Sequence, residues 1–197
     1  MVEDTLAELA AGPWALPALF VLVFGDAFLV VIPGEAAVTA LATLSALHGD
    51  PALIAVIAVA ALAAFAGDAT CYMIGRSTRI DRWGWMQGPR VSAMRAWAHT
   101  RLARSTAAIV FTARFIPFAR IAVNLTAGAE RIAAPRYLGF SALAAAAWAC
   151  YQALIGAAVG QLMPDAPIVA VVISVAAALL IGWGLDVALT RRLAPPG

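Results

Sequence analysis

Arg114 and Arg120 lie six residues apart in Thr112-Ala113-Arg114-Phe115-Ile116-Pro117-Phe118-Ala119-Arg120, within a run over 107–129 that is otherwise almost wholly apolar. On insertion scales a charge inside a membrane-grade segment costs roughly 2.5 to 3.5 kcal/mol, so an arginine kept there is a functional hypothesis by default. Pro117 stands between the two; it lacks a backbone donor and disfavours helical geometry at Ile116. A broken helix carrying cations at membrane depth is tolerated only where it faces protein or a watery cavity. Two guanidiniums close to half-helix amino termini suit an anion, and phosphate in particular. The opposite sign comes earlier in the chain, from Asp26 and from Glu35 in Ile32-Pro33-Gly34-Glu35. If these acids met the arginines, each set would offset much of the other's desolvation cost. Such pairs would either lock two half-helices together or share an anionic ligand. In the second case the carboxylates would respond in protonation when an anion takes the arginine from them, which is a physical route for coupling protons to phosphate-bearing cargo.

A second compact cluster is Gly67-Asp68, then Tyr72, then Gly75-Arg76. Spacings of four and three place Asp68, Tyr72 and Gly75 on one helical face. The glycines permit close helix packing, and Asp68 either pairs with an arginine or supports transport directly. Gly128, Gly139, Gly156 and Gly160 read as packing residues or helix ends. Cys71 and Cys150 fall in apolar segments and read as small packing residues. They form no metal-ligand spacing with the histidines at 48 and 99, so no metal and no cofactor are expected.

These residues need a scaffold, and composition names its class. Apolar residues make up 63% of the 197 and charged ones 12%, which excludes an ordinary soluble domain and points to an all-α polytopic membrane protein. All 13 basic residues are arginines, and every one lies from Arg76 onward, whereas residues 1–75 carry acids only. The amino terminus has no basic n-region, so no signal-peptide cleavage is expected.

The chain divides by hydropathy and breaks. Residues 1–12 form an interfacial helix. The apolar stretch 14–47 is too long for one span and too broken for a regular helix, so it reads as a re-entrant hairpin turning at Ile32-Pro33-Gly34-Glu35. Residues 52–75 are a full span. The arginine-rich segment 76–105 is a cytoplasmic loop with Trp83, Trp85 and Trp97 at headgroup level, and the positive-inside rule explains its charge better than nucleic acid does. Residues 107–130 form a second re-entrant hairpin broken at Ile116-Pro117, 137–160 a second span, and 168–189 a third, followed by Arg191-Arg192. The fold expected is thus two re-entrant helical hairpins, about three full transmembrane helices and short interfacial helices, with the arginine-rich loop and carboxyl terminus cytoplasmic. Ile32-Pro33 matches Ile116-Pro117, and Cys71-Tyr72 matches Cys150-Tyr151 at nearly the same offset. Because the hairpins would enter from opposite faces, the repeat is inverted, as in transporters whose discontinuous helices meet near the midplane.

Ile-Pro-Gly-Glu at 32–35, Gly67-Asp68-x-x-x-Tyr72-x-x-Gly75-Arg76, and Arg114-Phe-Ile-Pro-x-x-Arg120 followed by Ala127-Gly128 together resemble the DedA family of bacterial membrane proteins, which share the SNARE-associated or VTT domain. The resemblance covers about residues 20–162. It implies facing re-entrant hairpins and lipid translocation: return of undecaprenyl phosphate to the cytoplasmic leaflet with dependence on proton motive force in some members, movement of phospholipids such as phosphatidylethanolamine in others. The essential acid of the family's Pro-Gly-acid motif falls on Glu35, its arginine pair on Arg114 and Arg120, and a further acid approximately on Asp26. The glycine usual after the second Ile-Pro is Phe118 here.

The expectation is therefore a flippase of the bacterial inner membrane for a phosphate-bearing lipid, polyprenyl phosphate first, with a phospholipid scramblase as the alternative. Arg114 and Arg120 bind the head group. Glu35, Asp26 and Asp68 serve as proton-responsive or ion-pair partners, supported by Pro33, Gly34, Tyr72, Pro117 and Gly128. Membrane lipid and protons are the partners, and nucleic acid is not. An intramembrane lipid phosphatase needs a nucleophile or general acid–base group beside the arginines; the two histidines lie elsewhere, so no enzyme and no catalytic residue are expected. An ion antiporter with purely structural charges is the remaining class.

Overall fold

The computed structural model describes residues 12–29, 34–77, 110–111, 113–114, 117–166, 168–177, 180 and 184. Among them there are helices and no strands: α1 (Ala15–Asp26), α2 (Gly34–His48), α3 (Leu53–Ser77), α4 (Pro117–Ala129), α5 (Ala134–Leu162) and α6 (Ile168–Ala177). The 25 residues of α3 and the 29 of α5 are long and apolar enough to cross a membrane; at 1.5 Å per residue α3 alone reaches about 37 Å, against a hydrocarbon core of about 30 Å. The expected spans 52–75 and 137–160 fall on these helices, and α6 covers the start of the expected third. Residues 1–11 of the expected interfacial helix, 30–33 of the expected first hairpin tip, 78–105 of the expected arginine-rich loop and the chain beyond 184 lie outside the described residues.

Two compact units divide the chain: Met1–Ala64 with Ala145–Gly197, and Phe65–Ala144. Residues of α3 and α5 contribute to both.

In the first unit α1 follows Gly12-Pro13 and buries Leu19 and Val23, leaving Val21 and Leu22 exposed. Phe20, Phe24 and Phe28 recur at four-residue spacing: Phe20 and Phe24 stack with centroids 6.0 Å apart, and Phe28, just past the helix, meets Phe24 at a tilt of 59° and 5.2 Å. Helix α2 packs against α1 and begins at Gly34, directly after Pro33. Its buried face carries Val38, Thr39, Ala42 and Thr43. Each threonine hydroxyl donates back along the helix, Thr39 to the Glu35 carbonyl and Thr43 to the Thr39 carbonyl, both at 2.9 Å, so neither needs water in the core. Gly156 and Gly160 of α5 lie one turn apart against this face. A methyl group at Gly156 would fall 2.3 Å from the Thr39 carbonyl oxygen, and one at Gly160 would fall 3.0 Å from that of Thr43. The helices thus meet at backbone distance, as small-residue motifs allow where lipid removes the hydrophobic drive between helices. Thr43 and Ser174 of α6 share a hydroxyl hydrogen bond of 2.9 Å. Helix α2 ends at His48 and is followed by Gly49, whose φ of 81° is open to glycine and strained for other residues.

In the second unit α4 lies against the C-terminal half of α3 in the same manner. A methyl at Gly75 would fall 2.1 Å from the Leu125 carbonyl oxygen, and one at Gly128 would fall 2.0 Å from that of Tyr72. Pro117 opens α4, where its missing N–H costs nothing because first-turn donors have no intrahelical acceptor. The helix closes in a Schellman turn: Ile132 N–H donates to the Ala127 carbonyl at 3.1 Å and Arg131 N–H to that of Gly128 at 3.0 Å. Arg131, at φ 54°, holds the left-handed position that glycine usually takes. The core around these helices is Tyr72, Val110, Ala113, Val123, Ala127 and Tyr137, with Ile132 and Phe140 packed at its edge.

Candidate functional site

Asp68 sits in the middle of the second unit, 2% exposed, on the stretch of α3 that faces α4 and the start of α5. Three donors converge on it. Arg114, in the turn before α4, donates from Nη1 to Oδ2 at 2.6 Å. Asn124 of α4 donates from Nδ2 to Oδ1 at 2.9 Å, and Ser141 of α5 donates to Oδ2 at 3.1 Å. Arg114 is 6% exposed and Asn124 4%, so a full ion pair is held inside an apolar helical core. Burial of a lone charge there would be prohibitive; pairing with hydrogen bonds on the remaining lone pairs makes it tolerable.

A second layer surrounds this pair. The Tyr137 hydroxyl donates to Asn124 Oδ1, and its ring stacks on Tyr72 with centroids 5.0 Å apart and planes 16° from parallel. Tyr72 donates its hydroxyl to the Ile132 carbonyl at 2.6 Å and accepts from Arg76 Nη1 at 2.9 Å. Local sequence explains the arrangement. Asp68 and Tyr72 on α3, and Tyr137 and Ser141 on α5, are each four apart and share a helix face. Because α3 and α5 run antiparallel, Asp68 meets Ser141 while Tyr72 meets Tyr137. The close approach of α3 and α4 at Gly75 and Gly128 brings Asn124 into reach of the same carboxylate.

Of the expected site residues, Asp68, Arg114, Tyr72 and Gly128 thus come together in one unit. Arg120, in the first turn of α4, is half-buried and lies in electrostatic reach of Cys71, which is buried on α3. Asp26 and Glu35 belong to the first unit. Asp26 ends α1 with its side chain against Gly34, so that a methyl there would fall 3.1 Å from Asp26 Cβ; an acid is favoured at this place by the positive end of α2. Glu35 stands in the first turn of α2, in electrostatic reach of Tyr151. Pro33 lies outside the described residues, and Pro117 opens α4. Neither cysteine forms a disulfide.

Sequence reasoning passed over Asn124, Tyr137 and Ser141. Their signal was present: polar groups at buried-helix spacing in segments otherwise built of Ala, Leu, Ile and Val. Without a second helix to receive them, it could not be told from ordinary variation.

A family model described as the VTT domain matches residues 32–158. Comparisons with curated proteins and with solved structures find no match. The matched stretch runs from the residue before Pro33 to the last turns of α5 and contains the whole Asp68 cluster. With one helix of membrane-crossing length and apolarity inside the match and most of a second, the chain is a membrane protein and belongs to the VTT-domain family, the DedA or SNARE-associated group of membrane transporters.

Proposed function

We propose that the protein moves a phosphate-bearing lipid across the bacterial inner membrane, with a polyprenyl phosphate carrier as its cargo, and that it acts as a transporter without chemical turnover of the lipid. The observation that carries this reading is the buried Asp68–Arg114 pair, in the same unit as a second arginine, Arg120, in the first turn of α4. A cation is retained at large desolvation cost and held in one orientation, which is what recognition of an anionic head group requires. Arg120 is the second contact for the phosphate. Glu35, in the first turn of α2, and Asp26, at the end of α1 with its side chain against Gly34, are the carboxylates that respond to protons, and Asp68 is the counterion of Arg114. Two proline-broken hairpins entering from opposite faces are the architecture proposed, with the arginine-rich loop and the carboxyl terminus cytoplasmic. The pairing of α2 with α5 and of α4 with α3, each through two glycines, supports such a repeat.

The test is reconstitution in liposomes with leaflet-specific detection of polyprenyl phosphate and of phospholipids, with and without a pH gradient. Movement of polyprenyl phosphate that is lost in Arg120→Gln, a change that leaves the Asp68 pair intact, is the expected result. Equal movement of every phospholipid would replace this reading with scrambling, and release of inorganic phosphate would replace it with hydrolysis. Transport unaffected in folded Arg114→Gln and Arg120→Gln proteins would reject the head-group role.

A further inference from the structure

Asn124 enters the Asp68 cluster with both ends of its amide in use. Nδ2 donates to the carboxylate, and Oδ1 accepts from the Tyr137 hydroxyl. The carboxylate only accepts, so it decides which way the amide faces, and the Tyr137 hydroxyl then donates to the amide oxygen and steadies it. Tyr137 is itself held: its side chain is fully buried and its ring lies on Tyr72, which is tied to the backbone at Ile132. With Oδ1 of Asp68 taken by Asn124, Oδ2 is the oxygen presented to Arg114.

We infer that Asn124 and Tyr137 are positioning residues. They fix the rotation of the Asp68 carboxylate and through it the plane of the Arg114 guanidinium, and so set the preference for a terminal phosphate over the phosphodiester of a zwitterionic lipid. The inference rests on the proposed function, in which Arg114 meets the head group. A guanidinium recognises phosphate by a planar fork of parallel N–H bonds, so its charge alone is not sufficient; the plane must be aimed. Neither Asn124 nor Tyr137 carries charge or needs to touch the lipid to have this effect.

The experiment uses the full chain in phosphatidylcholine vesicles with graded mole fractions of polyprenyl phosphate. It compares wild type, Arg120→Gln, Asn124→Ala and Tyr137→Phe by half-saturating mole fraction, maximal rate, and the ratio of polyprenyl phosphate to phosphatidylcholine movement. Melting in detergent is followed alongside. Loss of one aimed hydrogen bond to a charged group predicts a half-saturating fraction raised about tenfold in Asn124→Ala and about threefold in Tyr137→Phe. The movement ratio falls in step and maximal rate stays at the wild-type value, while melting of Tyr137→Phe drops modestly because Asn124 Oδ1 loses its buried donor. Wild-type transport by a folded Arg120→Gln protein would overturn the head-group contact assigned to Arg120 in the proposed function. An inactive Arg120→Gln protein beside wild-type half-saturation and ratio in the other two would overturn only the positioning inference. Should Asn124→Ala fail to fold, Tyr137→Phe decides, since it keeps the ring stack and removes one hydroxyl. A Tyr137→Phe protein that does not fold, or that loses maximal rate in proportion to a lowered melting temperature, assigns the hydroxyl to stability and overturns the inference.

Discussion

In one unit α2, which begins after Pro33, lies on the C-terminal half of α5 through Gly156 and Gly160; in the other α4, which begins at Pro117, lies on the C-terminal half of α3 through Gly75 and Gly128. Each contact is made at backbone distance. What fills the space beside it differs. The first unit carries neutral hydroxyls, Thr39, Thr43 and Ser174, each satisfied within its own helix or by one neighbour. The second carries an ion pair with three donors on one carboxylate and two stacked tyrosines around it. A hydroxyl that bonds back to its own helix asks nothing of its surroundings and contributes only packing. A buried carboxylate demands partners from several elements at once, so the second unit is specified by its polar contacts as well as by its shape. Glu35 and Asp26 of the first unit lie instead in and against the first turn of α2, whose positive end offsets part of their cost.

This contrast can be broken most severely at Asp68. Asp68→Ala leaves Arg114 buried without its carboxylate and is expected to cost about 3–5 kcal/mol, measured by unfolding in mixed micelles. Asp68→Ala combined with Arg114→Leu should recover much of that loss; equal damage in the double variant would show that the charge pair is not the source. Next come the glycine contacts, which test what the units share. Gly128→Ala and Gly156→Ala each drive a methyl to within 2.0 and 2.3 Å of a carbonyl oxygen, and each should cost about 1–3 kcal/mol as the helices separate. Similar losses at both sites are expected, whereas Gly139→Ala, with nothing within 4 Å, should be tolerated. A smaller effect belongs to the neutral unit. Thr43→Val removes the bond to Ser174 but keeps the volume, and about 0.6 kcal/mol is the expected loss by the same unfolding assay. Smallest, and of opposite sign, is Arg131→Gly, which relieves a left-handed residue at the end of α4 and should stabilise by about 1 kcal/mol. A destabilised Arg131→Gly protein would mean that the arginine side chain itself contributes to the fold.

Helix positions were legible because hydropathy and punctuation speak locally. Pro117 and Gly34 mark helix starts, Gly49 marks a stop, and the apolar runs that became α3 and α5 needed no partner to be recognised. The resemblance to DedA proteins was legible for a similar reason, since its motifs are short and contiguous. At Asp68 the sequence left two possibilities, an arginine partner or a direct transport role, and the partner it could not name is Arg114, 46 residues away. Gly156 and Gly160 read as packing residues, but the face they pack on, Thr39 and Thr43, follows from no local pattern.

By itself the sequence determined that this chain is helical, that it carries membrane-length apolar segments, that its arginines avoid the first 75 residues, and that charge is retained where charge is expensive. Tertiary structure alone decided which charges meet. Periodicity sets the face a residue occupies within its own helix, whereas an ion pair depends on how close two helices come. That distance is set here by glycines in contact with carbonyls on segments far apart in the chain. Asn124, Tyr137 and Ser141 became visible as parts of one site only when α3, α4 and α5 were brought to it.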